Sequence, residues 1–389
     1  MATLPERATH KQTRAFNQQL VLRAIYDRSA VSRAELARVT GLTRTSVSAL
    51  TVELLAERLI EEVGRGPSTG GKAPILLRVR AEGRHLIGLD LGESAFNGAV
   101  VDLRGNIVRS LSLPLEGRDG EEAVQLVFSL IEGLAGDNGK SPLLGIGVGA
   151  PGLVDSRTGN VRWAVNLAWE NLPLGQMIEE RFGVPVVVAN DSQAAAFAEL
   201  TFGMESRPGN LVVVRVGRGI GAGIILNGQL FEGDGSGAGE IGHTIFGEGR
   251  ERCRCGRIGC LETIASMRAM VAAAQRLVPS VTDDASLVAA QKSGDKHVHS
   301  VVVHAGAMLG LAIGAVIGTI NVNHVLLVGP AVALGAEWLD AVRERAGASA
   351  LPLLANDTEI ELGTTADNVV LLGASAMLMT HELGLSLAR

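Results

Sequence analysis

Cysteine and aromatic residues are scarce in this chain. Three cysteines occur among 389 residues, and aromatic residues make up 3% of the chain. Three thiols are too few, and odd in number, for the disulfide framework of a small secreted protein, so a reducing cytoplasm is the expected compartment. The first residues, MATLPERATHKQTR, contain no apolar core stretch, and no signal peptide is expected.

Charged residues are an ordinary 20% of the chain, but their sign is distributed unevenly. Residues 1–80 contain 13 Lys and Arg against 7 Asp and Glu, whereas the remaining residues contain 22 against 34. A basic N-terminal part joined to an acidic remainder indicates two partners of different chemistry. We therefore expect two domains, a basic domain at 1–80 and an acidic domain at 81–389.

The basic domain has a helix-turn-helix pattern. Apolar residues near helical spacing predict a first helix over residues 14–28. Ser32 and Glu35 have capping-box spacing, which predicts the start of a second helix that ends at Gly41. Thr43 then starts a third helix. Two short helices joined by a glycine-containing turn are typical of the helix-turn-helix motif.

The third helix begins with short polar and basic side chains that suit a DNA major groove. After this helix, a strand, a flexible basic tip and a return strand predict a wing. The residues expected to contact double-stranded DNA are Thr43, Arg44, Thr45, Ser46, Ser48, Arg65 and Lys72. The alternative is a small helical interaction module that binds no nucleic acid.

The acidic domain alternates apolar runs with glycines, and helix-like stretches at 120–135 and 173–182 lie between them. This pattern predicts an α/β domain with a substantial sheet. The run LIGLDLG at 86–92 leads into a second strand, and LVVVRVG at 211–217 does the same. Two such units predict a duplicated, two-lobed fold with a cleft between the lobes.

One apolar stretch, at 301–320, is long enough to span a bilayer. It contains Gly306, Gly310, Gly314 and Gly318 at GxxxG spacing. The alternative is a buried helix whose glycines allow another element to approach closely. A histidine within the stretch and the lack of basic flanks favour burial, so we expect no membrane association.

All three cysteines lie within the segment CRCGRIGC. Cys253, Cys255 and Cys260 are too crowded for ordinary disulfides, and their spacing suits a metal knuckle. Structural zinc takes four tetrahedral nitrogen and sulfur ligands, and His243 is the expected fourth. This knuckle spans residues 243–260. Three incidental buried cysteines are the alternative.

Acidic and amide side chains lie close in sequence to the predicted knuckle or at the end of an apolar strand. Glu240 and Glu262 flank the knuckle, and Asn190 and Asp191 end the run VPVVVAND. A zinc ion would fix neighbouring side chains in place, and converging acceptors suit the hydroxyl groups of a sugar. Taken singly, each of these acidic residues is more often a solvated side chain.

The segments GAGEIGH, CRCGRIGCLE, GAPGLVD and VANDSQAAA closely resemble the ROK family of repressors, open reading frames and sugar kinases. The helix-turn-helix resembles its sugar-repressor branch. The resemblance implies a winged helix-turn-helix followed by an actin-like, ribonuclease H-like α/β fold, with a structural zinc ion and homodimers or homotetramers. By the family motif, the sugar would contact Asn190, Asp191, Glu240, His243 and Glu262, with Asn166 nearby, and zinc would bind His243, Cys253, Cys255 and Cys260. Trp163 and Trp169 would also lie near the sugar.

The sequence departs from the pattern of the kinase members at three nucleotide-binding segments. Glu93 follows Asp-Leu-Gly where kinases have Asp-x-Gly-Gly-Thr, and a carboxylate there would face the nucleotide phosphates. Arg218 replaces the threonine of Gly-Thr-Gly, and Pro330 replaces the second glycine of a Gly-Gly pair. We therefore expect sugar sensing without phosphorylation and assign no catalytic residue, although Asp191 matches the base of the kinases.

The sequence thus predicts a sugar-responsive regulator of transcription, most simply a repressor of genes of carbohydrate metabolism that a monosaccharide releases from its operator. The first alternative is an ATP-dependent sugar kinase with an appended DNA-binding domain. The second is a regulator controlled by a partner protein.

Overall fold

The structure is a computed structural model that describes residues 10–67, 73–136, 141–203, 209–246, 251–365 and 368–385. The basic domain begins with three helices, followed by the two longer strands of a small sheet. Its elements are α1 (His10–Tyr26), β1 (Val31–Ser32), α2 (Arg33–Thr40), α3 (Arg44–Ala56), β2 (Ile60–Arg65) and β3 (Ile75–Val79).

Helices α2 and α3 begin, and α2 ends, at the residues that the sequence predicts. The Ser32 hydroxyl accepts a hydrogen bond from the Glu35 amide at 3.2 Å. Gly41 ends α2 with a φ of 70°, a conformation that glycine adopts without strain. The Thr43 hydroxyl caps α3 by accepting from the Ser46 amide at 3.1 Å. The first helix starts at residue 10, four residues before the predicted start.

The small sheet of the basic domain has the order β1-β3-β2, and both pairs are antiparallel. Strands β2 and β3 match the two predicted strands around the basic tip, whereas the sequence analysis did not anticipate β1. Arg65 ends β2 and is exposed. Lys72, at the tip, lies outside the described residues.

Two groups of elements follow, which we call the first lobe and the second lobe. The first lobe contains β4 (His85–Leu91), β5 (Ala95–Asp102), β6 (Ile107–Pro114), α4 (Gly120–Ala135), β7 (Leu143–Ala150), β8 (Leu153–Asp155), β9 (Asn160–Ala164), β10 (Trp169–Leu172), α5 (Leu174–Phe182), β11 (Val186–Asn190) and α6 (Asp191–Ala198). The second lobe contains β12 (Leu211–Val216), β13 (Ile220–Leu226), β14 (Gln229–Leu230), α7 (Glu262–Ala265), α8 (Met267–Gln275), α9 (Asp284–Lys292), α10 (Lys296–Ile320), β15 (His324–Val328), α11 (Ala336–Ser349), α12 (Pro352–Asn356), β16 (Glu359–Leu362) and α13 (Val369–Leu383).

The main sheets of the two lobes have the same topology. Their orders are β11-β7-β4-β5-β6 and β14-β13-β12-β15-β16. In each, three consecutive strands form an antiparallel meander, and two later strands add in parallel beside its first strand. The runs at 86–92 and 211–217 belong to the matching strands β4 and β12, so the predicted duplication is present in the fold.

Helices α6 and α13 pack against each other and fill the space between the two sheets. Helix α6 contacts β12 and β13, while α13 contacts β4 and β7. A β-carbon at Gly373 would lie 1.7 Å from the Ala194 carbonyl oxygen, so the close approach of these helices requires glycine. Apolar side chains from both helices share one buried cluster with residues of the sheets.

The apolar stretch at 301–320 belongs to α10, which packs along α11. β-Carbons at Gly306 and Gly310 would lie 2.8 and 2.3 Å from backbone carbonyl oxygens of α11, and one at Gly314 would lie 2.8 Å from the Ser349 β-carbon. Within the described ranges, α10 is long and apolar enough to cross a membrane, but 56% of its most apolar segment is buried inside the protein. The contacts of these three glycines support the prediction of a buried helix.

Candidate functional site

A cavity of about 710 Å³ lies between the two lobes, at the carboxyl ends of their parallel strands. Strands β4 and β11 of the first lobe, and β12 and β15 of the second, end at its wall. All six residues predicted to contact a sugar line the cavity, namely Asn166, Asn190, Asp191, Glu240, His243 and Glu262. Residues that are far apart in the sequence therefore meet at one site.

Asp191 lies at the start of α6 with its carboxylate at the cavity wall. The Ser192 hydroxyl donates to Asp191 Oδ1 at 3.0 Å, and Arg215 Nη1 donates to Oδ2 at 2.9 Å. Asn190 caps the same helix by accepting from the Ser192 and Gln193 amides. Its Nδ2 donates to the Gly152 carbonyl at 2.9 Å, which leaves one N–H for a ligand.

Asn166 offers an unpaired donor to the cavity. It lies in the short turn between β9 and β10, and its Nδ2 is buried without a hydrogen-bond partner among the described atoms. A buried amide without a partner is costly, and a ligand hydroxyl would satisfy it. This geometry suits the predicted role of Asn166.

Only one of the two tryptophans near this turn reaches the cavity. Trp163 lines the cavity and is 41% exposed, so its ring is available to a ligand. Trp169 is buried, and its indole N–H donates to the Gly120 carbonyl at 2.9 Å. Of the two tryptophans, Trp163 alone is among the lining residues, contrary to the expectation that both would lie near the sugar.

Glu240, His243 and Glu262 form the wall on the side of the second lobe. His243 Nε2 lies 3.7 Å from a Glu240 oxygen. Burial raises the pKa of Glu240 to about 7, and the charges of Asp191 and Glu262 add to the rise. Glu262 is buried, and its Oε2 accepts from the Ile220 amide at 3.2 Å. These groups present several acceptors within one wall.

The four predicted metal ligands form a cluster beside this wall. The ligand atoms of His243, Cys253, Cys255 and Cys260 all lie within 4.8 Å of one another. His243 Nδ1 is 3.5 Å from the Cys253 sulfur, and the Cys255 and Cys260 sulfurs are 3.6 Å apart. Tetrahedral zinc, with bonds of about 2.0–2.3 Å, places neighbouring ligand atoms about 3.5 Å apart. The donor set and its spacing therefore fit a structural zinc ion.

Two of the three thiols are buried, which affects how readily they ionise. Burial raises the pKa of Cys253, and burial raises that of Cys260 to about 12. Without a cation, these buried sulfurs resist ionisation, whereas a bound divalent ion stabilises the thiolates. His243 directs Nδ1 to the Cys253 thiol and Nε2 toward Glu240, so this ring joins the predicted metal ligands to the cavity.

Arg215 was not among the residues predicted from the sequence; it lies in the apolar strand β12 and pairs with Asp191. Its guanidinium also opposes the effect of burial on Asp90, whose pKa is nevertheless raised to about 6. A single arginine within the run LVVVRVG was the available sequence signal. Arg215 Nη1 donates to Asp191 Oδ2 at 2.9 Å and so holds this carboxylate at the cavity wall in an ion pair.

The three segments expected to depart from the kinase pattern also face the cavity, because Glu93, Arg218 and Pro330 are among its lining residues. Their side chains therefore lie in the same space as the residues predicted to bind sugar.

Five of the seven predicted DNA contacts lie at the start of α3, outside the residues that line the cavity. Thr43, Arg44, Thr45 and Ser48 are exposed, whereas Ser46 is half-buried. The Thr43 and Ser46 hydroxyls lie 2.9 Å apart and engage each other. Among the five residues at the start of α3, Arg44, Thr45 and Ser48 are therefore those whose side chains are most available to a partner.

Two matching sheets, two helices between them and a cavity at the interlobe edge define an actin-like α/β protein. The profile of the ROK family matches residues 86–381. The chain therefore belongs to the ROK family.

Relatives of two kinds resemble this chain. The xylose repressor of Caldicellulosiruptor bescii is 31% identical over 96% of this chain and 98% of its own length. The crystal structure of a ROK family transcriptional regulator, a homolog of the E. coli MLC protein, has a TM-score of 0.82 and 27% identity, covering 96% of this chain and 98% of that one. A ROK family glucokinase from Streptomyces griseus, in complex with glucose and AMPPNP, has a TM-score of 0.69 and 25% identity, covering 75% of this chain and 98% of that one.

Proposed function

We propose that the protein is a sugar-responsive transcriptional repressor of the cytoplasm that acts as a homodimer or homotetramer. The observation that carries this proposal is the extent of the matches. The xylose repressor and the solved regulator match 96% of the chain, whereas the glucokinase leaves a quarter of it without a counterpart. The family profile begins at residue 86, so the basic domain is the main part that lies outside it.

The basic domain, residues 1–80, is the DNA-binding part in this proposal, a winged helix-turn-helix. Helix α3 is the recognition helix, and Arg44 at its start is exposed beside Thr45 and Ser48. The strands β2 and β3 form the wing, with Arg65 at the end of β2. The excess of basic residues over acidic residues in this domain favours binding to the phosphate backbone.

The acidic domain, residues 81–389, is the sensor. A monosaccharide would lie between Asn166 and Asp191 of the first lobe and Glu240, His243 and Glu262 of the second. His243 and the three cysteines would hold a zinc ion. This ion would fix the loop at 243–260, next to the second-lobe wall of the cavity. Because the ligand would touch both lobes, it would bind more tightly to one arrangement of the two lobes than to another. Only this difference in affinity can shift the equilibrium between DNA-binding and released states.

Arg44→Ala is expected to reduce affinity for operator DNA at least about tenfold, because each removed base or phosphate contact weakens binding and a dimer loses two. The measurement is a fluorescence-anisotropy titration with DNA selected from a random pool by the wild-type protein. Arg38→Ala is the matched control, since Arg38 is exposed on α2 and donates to Glu35 at 3.0 Å. Equal affinities of both variants and the wild type would contradict the assignment of α3. A sugar that tightens DNA binding in the same assay would contradict the prediction that sugar releases the protein from its operator.

A sugar that enters the cavity is expected to produce a saturable change in intrinsic fluorescence through Trp163, which lines the cavity. The titration uses a panel of hexoses, pentoses and amino sugars without ATP. Trp163→Phe should lose the signal while calorimetry still detects binding, whereas Trp169→Phe should keep it because Trp169 is buried elsewhere. No binding of any sugar of the panel in calorimetry would favour a partner protein as the effector.

A further inference from the structure

Three arginines of the second lobe converge on one carboxylate of the first lobe. They lie in the turn between β12 and β13, in the loop that contains the cysteines, and in α8. Glu93 lies in the turn between β4 and β5. Its Oε2 accepts from Arg218 Nε at 3.3 Å and from Arg254 Nη1 at 3.2 Å, and it lies 3.8 Å from Arg268 Nη1. We call Arg218, Arg254 and Arg268 the arginine cluster. This is an ion-pair network that crosses the cavity from one lobe to the other.

The arginine cluster has more donors than Glu93 satisfies. Each guanidinium carries five N–H donors, whereas the three contacts converge on a single carboxylate oxygen. Arg268 Nη1 is buried without a hydrogen-bond partner among the described atoms. Arg218 and Arg254 line the cavity with side chains 44% and 43% exposed, so a ligand in the cavity can reach them. Converging guanidinium groups of this kind are suited to a phosphate-like oxyanion.

The backbone around Glu93 is also suited to binding an anion. Gly92 from the first lobe and Gly217 and Gly219 from the second line the cavity in turns between antiparallel strands. Amide groups in such turns can also face an anion. The cavity therefore has glycine turns on both sides and a guanidinium cluster between them, and the anion placed there is a side chain of the protein itself.

We propose that Glu93 is an internal anion that occupies the arginine cluster, ties the two lobes together and excludes phosphate-bearing ligands from the cavity. Glu93 is then a specificity-determining residue, which leaves the cavity selective for uncharged ligands. This inference rests on the geometry of the cavity and does not require the ligand to be a sugar.

The same network reaches the wall predicted to bind sugar. Arg268 Nη2 donates to Glu262 Oε1 at 3.0 Å, while its other terminal nitrogen faces Glu93. Arg254 belongs to the loop that carries Cys253 and Cys255. Glu93 therefore positions Glu262 and the cysteine loop relative to the first lobe, and its removal loosens the closed arrangement.

The test uses inorganic pyrophosphate as the probe and isothermal calorimetry of the full chain, without sugar or DNA. Glu93→Gln and Glu93→Ala are expected to bind pyrophosphate at least about tenfold more tightly than the wild type, because the competing carboxylate charge is gone. Glu116→Gln is the matched control, since Glu116 is an exposed first-lobe glutamate that pairs with Arg118 outside the cavity. Adding Arg218→Ala to Glu93→Ala should reverse the gain.

A second measurement tests whether the ion pairs of Glu93 hold the two lobes together. By small-angle X-ray scattering, Glu93→Gln is expected to have a larger radius of gyration than Glu116→Gln at the same ionic strength. The proposal is overturned if the wild type binds pyrophosphate as tightly as both Glu93 variants. It is also overturned if folded Glu93→Gln matches the control in both measurements. Neither result depends on which sugar or DNA the protein binds.

Discussion

Cys255→Ser is expected to lose the zinc ion and to weaken sugar binding at least about tenfold. Structural zinc sites contribute about 10–16 kcal/mol of apparent binding free energy, and serine is a poor replacement for a thiolate ligand. The ligand atoms of the four residues lie within 4.8 Å of one another, so loss of one ligand opens the cluster. His243 belongs to both the cluster and the cavity wall, and the wall should lose its order with the ion.

The measurements are zinc per chain by plasma mass spectrometry and sugar affinity by calorimetry. Ile258→Ser is the control, because Ile258 lies in the same loop, is 50% exposed and contributes no ligand. It should retain one zinc ion per chain and the wild-type affinity. Wild-type protein stripped with a chelator should behave like Cys255→Ser. Unchanged sugar affinity in folded, zinc-free protein would contradict the role of the cluster in positioning the wall.

Asp191→Asn is expected to raise the Kd for the sugar about 10- to 100-fold, because a hydrogen bond from a hydroxyl to a carboxylate is stronger than one to a neutral amide. The isosteric change keeps one acceptor oxygen, which can face Arg215, while the new amide NH2 can donate to the Ser192 hydroxyl. Alanine is unsuitable here because it would leave the guanidinium of Arg215 without its partner inside the protein. Operator binding without sugar should be unchanged, while release by sugar should require correspondingly more ligand.

Calorimetry and anisotropy measure the two effects, and Asp340→Asn serves as the control because Asp340 is exposed on α11 and away from the cavity. Equal sugar affinity of the two variants would contradict the role of Asp191.

A coupled ADP-release assay addresses the kinase alternative. We expect no turnover, since Glu93, Arg218 and Pro330 stand where the kinase pattern has other residues, in three segments that line the cavity. ATP-dependent turnover by the wild type that disappears in Asp191→Asn would establish the kinase instead.

Local chemistry made several elements predictable from the sequence. Ser32, Gly41 and Thr43 end or start helices through contacts within a few residues, so short-range patterns were sufficient. The helix-like stretch at 120–135 is α4, and that at 173–182 is α5 apart from one residue. The grouping of His243 with the three cysteines was also predictable, because three of these four side chains lie within eight residues of one another.

The tertiary structure decided the features that depend on distant parts of the chain. β1 is two residues long and exists because it pairs with β3, about 45 residues later. Trp169 is buried outside the cavity, where its indole N–H donates to the carbonyl of Gly120, the first residue of α4.

The sequence by itself determined the helix-turn-helix pattern, the family and the likeness of the two lobes, since these follow from spacings and motifs along the chain. Only the fold brought Arg215 to Asp191, and three arginines to Glu93. Ion pairs between residues up to 175 positions apart leave no periodic trace in a sequence, because their distances are set by how the two sheets and their connecting helices pack.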